Sequence, residues 1–75
     1  MEVKTGYPII LTDAKGMKKH GLFKGMKGFA SSVMTVDDET YVFFMPDGIR
    51  EVFVMDNSRF VVDEERLEEG LSSDA

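Results

Sequence analysis

The chain has 75 residues, 43% of them hydrophobic, with no cysteine, one histidine and a formal net charge of −5. This length allows one domain at most, and such a domain buries little more than about 60% of its unfolded surface. Disulfides are excluded and a structural zinc site is disfavoured, so self-association into a homo-oligomer is the expected supplement to a marginal core. The N-terminus lacks the basic region and apolar run of a signal peptide. No apolar stretch approaches the roughly 20 residues that span a bilayer, so a soluble, cytoplasmic protein is expected.

The charge is divided along the chain. Lys4, Lys15, Lys18, Lys19, Lys24 and Lys27 against Glu2 and Asp13 give +4 up to Gly28, and the remainder carries −9. A concentrated basic segment creates a local positive field even on an acidic protein.

Taken in chain order, the first strand signal is Tyr7–Thr12, where Pro8 lacks an amide donor and marks a strand start or an edge. The basic segment 15–28 follows, with Lys-Gly-Met-Lys occurring at 15–18 and again at 24–27. Gly28–Val36 alternates as a strand, with Phe29, Ser31, Val33 and Thr35 on one side and Ala30, Ser32, Met34 and Val36 on the other. Neither side is wholly polar, as in a small barrel with an oligomer surface outside. Asp37-Asp38-Glu39 leads into Thr40–Met45, and Pro46-Asp47-Gly48 is a turn because proline presets φ, aspartate bonds its own backbone and glycine takes positive φ. Ile49–Met55 returns as an antiparallel partner. Either Phe43 and Met45 or Val42 and Phe44 face the core, and periodicity leaves both open. Asp56-Asn57-Ser58 then turns into Arg59–Val62, completing a four-strand meander. Asp63–Glu69 reads as one or two helical turns with Gly70 at C′. The expected organisation is an all-β domain over residues 1–70, a small five-stranded barrel with a short C-terminal helical turn, and a flexible tail over 71–75.

The stretch from Phe23 to Val33 resembles the KOW motif of SH3-like barrels in ribosomal proteins and transcription elongation factors, with Gly28 at the position of its central glycine. That resemblance implies a glycine-rich loop approached closely by phosphate, with Lys24 and Lys27 facing it and Phe29 either in the core or stacked on a base. Five short strands in a tight meander also resemble, in architecture, the Sm-like proteins, whose barrels form RNA-binding rings. In style the chain is similar to small barrels of bacteriophage.

A solvated lysine loop is the plain alternative for the basic segment. Two features favour a binding role: glycines at 16, 21, 25 and 28, and the interleaved Met17, Leu22, Phe23 and Met26. Leu22 and Phe23 are, as residue types, more often core than platform. His20 has no neighbouring ligand or orienting carboxylate, Ser31 and Ser32 lie within a strand, and the carboxylates at 37–39 and 63–65 lack the spacing of a calcium loop. No constellation of nucleophile, base and orienting group is present, so a non-enzymatic protein without a cofactor is expected. The leading expectation is binding of single-stranded RNA or DNA, RNA first, through Lys15, Lys18, Lys19, Lys24, Lys27 and Phe29, by a ring-like homo-oligomer. The alternative is an SH3-like protein-interaction module, similar in plan to barrels that dock on photosynthetic complexes, with a larger acidic protein as partner.

Overall fold

Strand β1 (Pro8–Leu11) begins on the proline that cannot donate to a ladder. After it come β2 (Lys27–Val36), β3 (Glu39–Pro46), β4 (Phe53–Asp56), β5 (Phe60–Val62) and the helix α1 (Glu64–Ser73). The computed structural model describes residues 2–73. All pairings are antiparallel and the strand order is β4-β3-β2-β1-β5. Over the described residues the chain is therefore all-β with one short α-helix. Three strands of the expected meander stand as β2-β3-β4, whereas β5 leaves it and pairs with β1, Leu11 opposite Phe60 and Ile9 opposite Val62.

That departure dictates the shape of the sheet. In a flat sheet the two edge strands would lie about 19 Å apart, four gaps of about 4.8 Å. Yet β4 and β5 are joined by residues 57–59 alone, and the four backbone steps from Asp56 to Phe60 reach roughly 14 Å at most. The sheet must curl until its edges approach. No ladder joins β4 to β5 among the described residues. The β1–β2 loop lies along this seam instead: at one end Arg59 Nη1 donates to the Lys15 carbonyl at 2.7 Å, and at the other the His20 ring sits 5.6 Å from that of Phe53.

Curling concentrates the core on the concave side. Ile9, Leu11, Ala30, Val42 and Phe44 have no exposed surface, and Ala14 and Leu22 join them from the loop. Val42 and Phe44 thus form the inward pair of β3, leaving Phe43 and Met45 outside. On β2 the inward side changes parity at Ser31, where a bulge shifts the pairing so that Ala30 opposes Phe44 and Ser32 opposes Phe43. Ala30 is buried before the bulge and Val33 packs on the core after it.

The Pro46-Asp47-Gly48 turn forms as its residues demand, with Gly48 at φ 78° and the Ile49 amide donating to the Pro46 carbonyl at 3.1 Å. It does not launch a strand at Ile49. The Asp47 amide donates to the Lys27 carbonyl, tying the turn to β2, and pairing with β3 resumes only at Phe53 opposite Phe44. The expected strand 49–55 is therefore cut to Phe53–Asp56. Asp63 caps α1, its Oδ1 accepting from the Arg66 amide at 3.3 Å while its side chain is buried. The helix runs through Gly70 instead of stopping at it. Gly70 is not among the glycines of positive φ, and a helix tolerates an interior glycine at about 1 kcal/mol relative to alanine. The segment expected as a tail, 71–75, is described as backbone through Ser73 in the last turn of α1, and residues 74 and 75 lie outside the described residues.

Gly28 occupies the tightest place in the fold. A Cβ there would lie 2.3 Å from the Met45 carbonyl oxygen, 2.6 Å from the Phe44 ring and 2.8 Å from Pro46 Cα. At Gly48 the space is open and only the positive φ is demanding. Gly28→Ala is expected to cost about 1–3 kcal/mol through overpacking against backbone. Gly48→Val should cost about 1–3 kcal/mol through backbone strain, and Gly48→Asn much less because asparagine visits this region. Urea titration of the three variants checks the ranking, and an unchanged midpoint for Gly28→Ala contradicts the packing argument.

Candidate nucleic-acid interface

The loop between β1 and β2 is long but pinned at every turn. Asp13 Oδ1 accepts from the Lys15 amide at 2.9 Å, an Asx turn that starts the excursion. Ala14 is buried, and Lys18–His20 form a single 3₁₀ turn that ends on Gly21 at φ 81°. Leu22 then returns to the core at 2% exposed, while its neighbour Phe23 points out at 58%. Reciprocal bonds from the Gly25 amide to the Leu11 carbonyl and from the Leu11 amide to the Met26 carbonyl fasten the loop's end beside β1. Arg59 holds its beginning: besides the bond to Lys15, its carbonyl accepts from the Thr12 and Asp13 amides.

Lys15, Lys18, Lys19 and Lys24 are all exposed on this loop, and Lys27 is exposed at the first residue of β2. The ion pair found among the described residues joins Arg66 to Asp47 at 3.2 Å. Among the described residues, none of the five lysines is thus paired with a carboxylate. The structure brings four of them onto one ordered segment and sets the fifth immediately beyond it.

Phe29 and Gly28 stand elsewhere. Phe29 is on the outward face of β2, 36% exposed, and the Arg66 guanidinium lies 4.5 Å above its ring. One ring face is therefore already covered by a cation. Gly28 is buried between β1 and β3, so its missing side chain admits Phe44 and the β3 backbone and offers no approach to a phosphate. The loop's own exposed aromatic is Phe23. The signal for it was present but undirected: two adjacent apolar residues in an extended segment point opposite ways, and nothing local says which one enters the core.

The acidic residues lie at other turns. Asp37 and Asp38, at φ 50° and 66°, make the β2–β3 turn. Hydrogen bonds from the Ser58 hydroxyl and amide hold the Asp56 carboxyl below the usual carboxylate range. The Tyr41 hydroxyl donates to Glu39 Oε2 at 2.7 Å, and this bond together with the Glu39 charge raises the tyrosine's pKa above its ordinary value. His20 makes its tilted ring contact with Phe53, and Ser31 Oγ donates to the Phe43 carbonyl at 2.9 Å. No helix among the described residues is long and apolar enough to cross a membrane.

No protein-family model matches the chain, and no curated protein or solved structure matches it significantly.

If Arg59 is the anchor of the lysine loop, Arg59→Ala should loosen the loop more than the sheet. Amide hydrogen exchange is expected to quicken at residues 15–22, while the Thr12 and Asp13 amides, bonded to the backbone carbonyl that alanine keeps, and the β2–β3 amides stay protected. Uniform acceleration in both regions would show that Arg59 supports the whole fold and not the loop.

Proposed function

We propose that this chain is a cytoplasmic, non-enzymatic protein that binds single-stranded nucleic acid, RNA in the first place, through the β1–β2 loop. One observation carries the reading: five exposed lysines, without a carboxylate partner among the described residues, flank an exposed phenylalanine in sequence on and beside a segment anchored at both ends. Pinning matters because a pre-ordered loop loses little conformational entropy when a strand is laid across it. Lys15, Lys18, Lys19, Lys24 and Lys27 supply phosphate contacts, and these bring little sequence preference and a strong salt dependence. Phe23 supplies a surface on which a base stacks, an interaction of about 1–3 kcal/mol by alanine substitution. Phe29, with Arg66 on its ring, takes no part in this reading.

Fluorescence anisotropy with a labelled poly-U strand, a poly-dT strand and a duplex tests it. The slope of log K against log salt for poly-U should be roughly −2 to −4, at about −0.7 per phosphate neutralised by three to five lysines. Lys24→Glu combined with Lys27→Glu should abolish binding. Phe23→Ala should weaken it about tenfold, within the stacking range above, while Phe29→Ala leaves binding of a strand too short to span two loops unchanged. Absence of binding at low salt, or equal binding by the lysine double variant, removes the nucleic-acid reading and leaves the loop as a docking surface for an acidic protein.

A further inference from the structure

The outward face of β2, β3 and β4 is apolar where the solvent side of an antiparallel sheet is ordinarily polar. Phe29 stands opposite Met45 and Phe43 opposite Val54, so four apolar side chains form one continuous surface. Past the Ser31 bulge, Met34 extends it opposite Tyr41. Phe29, Met34, Met45 and Val54 are 36%, 43%, 38% and 53% exposed. The inward residues of the same strands, Ala30, Val42, Phe44 and Met55, already complete the core, so folding of one copy does nothing for this surface.

The face is also polarised from end to end. Beside Phe29 lie Lys27, two residues earlier on the same side of β2, and Arg66, which holds Asp47. Beside Tyr41 lie Glu39, bonded to its hydroxyl, and Asp56, its partner on β4. The middle, at Phe43 and Val54, carries no charge. A surface that is neutral at its centre and opposite in sign at its ends is complementary to itself after an end-for-end turn.

We propose that this face is the contact between two copies of the chain in a two-fold dimer, with the axis crossing the strands at Phe43. Such an axis sets the Lys27 and Arg66 end of one copy over the Glu39 and Asp56 end of the other. It also sets Met34 of the second copy over the hollow of about 330 Å³ lined by Phe29, Met45, Pro46 and Ile49. The contact is isologous and closes on itself, unlike the head-to-tail ring expected from the sequence. From Glu39 to Pro46 the face runs about 24 Å, and three strands with their side chains make it roughly 15 Å wide, an upper bound for the contact because the sheet curls. That footprint is well under the roughly 800 Å² per partner of a standard interface, so the dimer is a weak and transient one.

Sedimentation equilibrium from micromolar to millimolar protein tests the proposal. The mass is expected to rise from one chain to two. Val54→Glu and Met45→Glu change exposed positions, with folding checked by circular dichroism, and each should raise the concentration for dimerisation at least tenfold. Because the protein has no cysteine, single replacements report the axis directly. Val54→Cys lies at the level of the axis and meets its own copy, so mild oxidation with copper phenanthroline should cross-link it. Phe29→Cys lies at the level of Tyr41 in the other copy, about 14 Å from its own counterpart by strand geometry, and should not cross-link. A single-chain mass at millimolar concentration overturns the proposal. So does a mass above two chains, dimerisation indifferent to both glutamates, or Phe29→Cys cross-linking as readily as Val54→Cys.

Discussion

Three residues, 57–59, join strands that lie at opposite edges of a five-stranded sheet, and the covalent reach of so short a link is less than the width of the sheet laid flat. Curvature is therefore imposed by connectivity before any side chain is considered. Once the sheet curls, its edges still share no ladder among the described residues, and Ala14 and Leu22 of the β1–β2 loop cover the core there. The same curvature sets which glycine is indispensable. At Gly28 three strands converge, and Phe44 and the β3 backbone occupy the volume of a side chain.

The seam between β4 and β5 explains why a loop rich in glycine and lysine is ordered. A loop over open solvent would be held by its ends alone, whereas this one is tied at Lys15 by Arg59 and touches Phe53 through His20. Glycine serves it locally, as at Gly21, whose φ of 81° stops the 3₁₀ turn and releases Leu22 toward the core. The lysines are then left outside because every inward position is already taken by an apolar residue. Their clustering follows from where the loop must dip and where it must rise, and among the described residues no carboxylate pairs with them.

Much of this was readable from residue types. Pro8 as a strand start, the Pro46-Asp47-Gly48 turn, the β-rich middle of the chain and the acidic start of α1 each rest on local chemistry, and local chemistry decided them. What was not readable depends on partners far along the chain. The late start of β4 reflects the bond from the Asp47 amide to the Lys27 carbonyl, a contact across nineteen intervening residues. The pairing of β5 with β1 in place of β4 is a property of the curled sheet and not of either strand. The parity change at Ser31 defeats any reading of faces by alternation, since residues of both parities point inward on the same strand. In the candidate site the five lysines were legible because charge on a loop stays exposed. The aromatic was less so: Phe29 is exposed but carries Arg66 on one face of its ring, while Phe23 beside Leu22 is the exposed aromatic of the loop itself.

The two surfaces argued for here place different demands on one small chain. A nucleic-acid surface needs charge that water can reach, and the lysine loop has it. The sheet face has little charge at its centre and offers apolar area, which salt does not weaken. Lys27 is the one residue that borders both, lying at the base of the loop and at the positive end of the face. In a two-fold dimer it would sit at the rim, near the second copy's acidic end, where an exposed pair contributes only about 0–1 kcal/mol. Dimerisation would therefore leave its charge largely available to phosphate and would bring two lysine loops onto one particle. Linking two weak sites in this way raises apparent affinity for a long strand without any new contact, provided the strand spans both loops. For a domain with this few lysines, that gain is larger than any one side chain can supply.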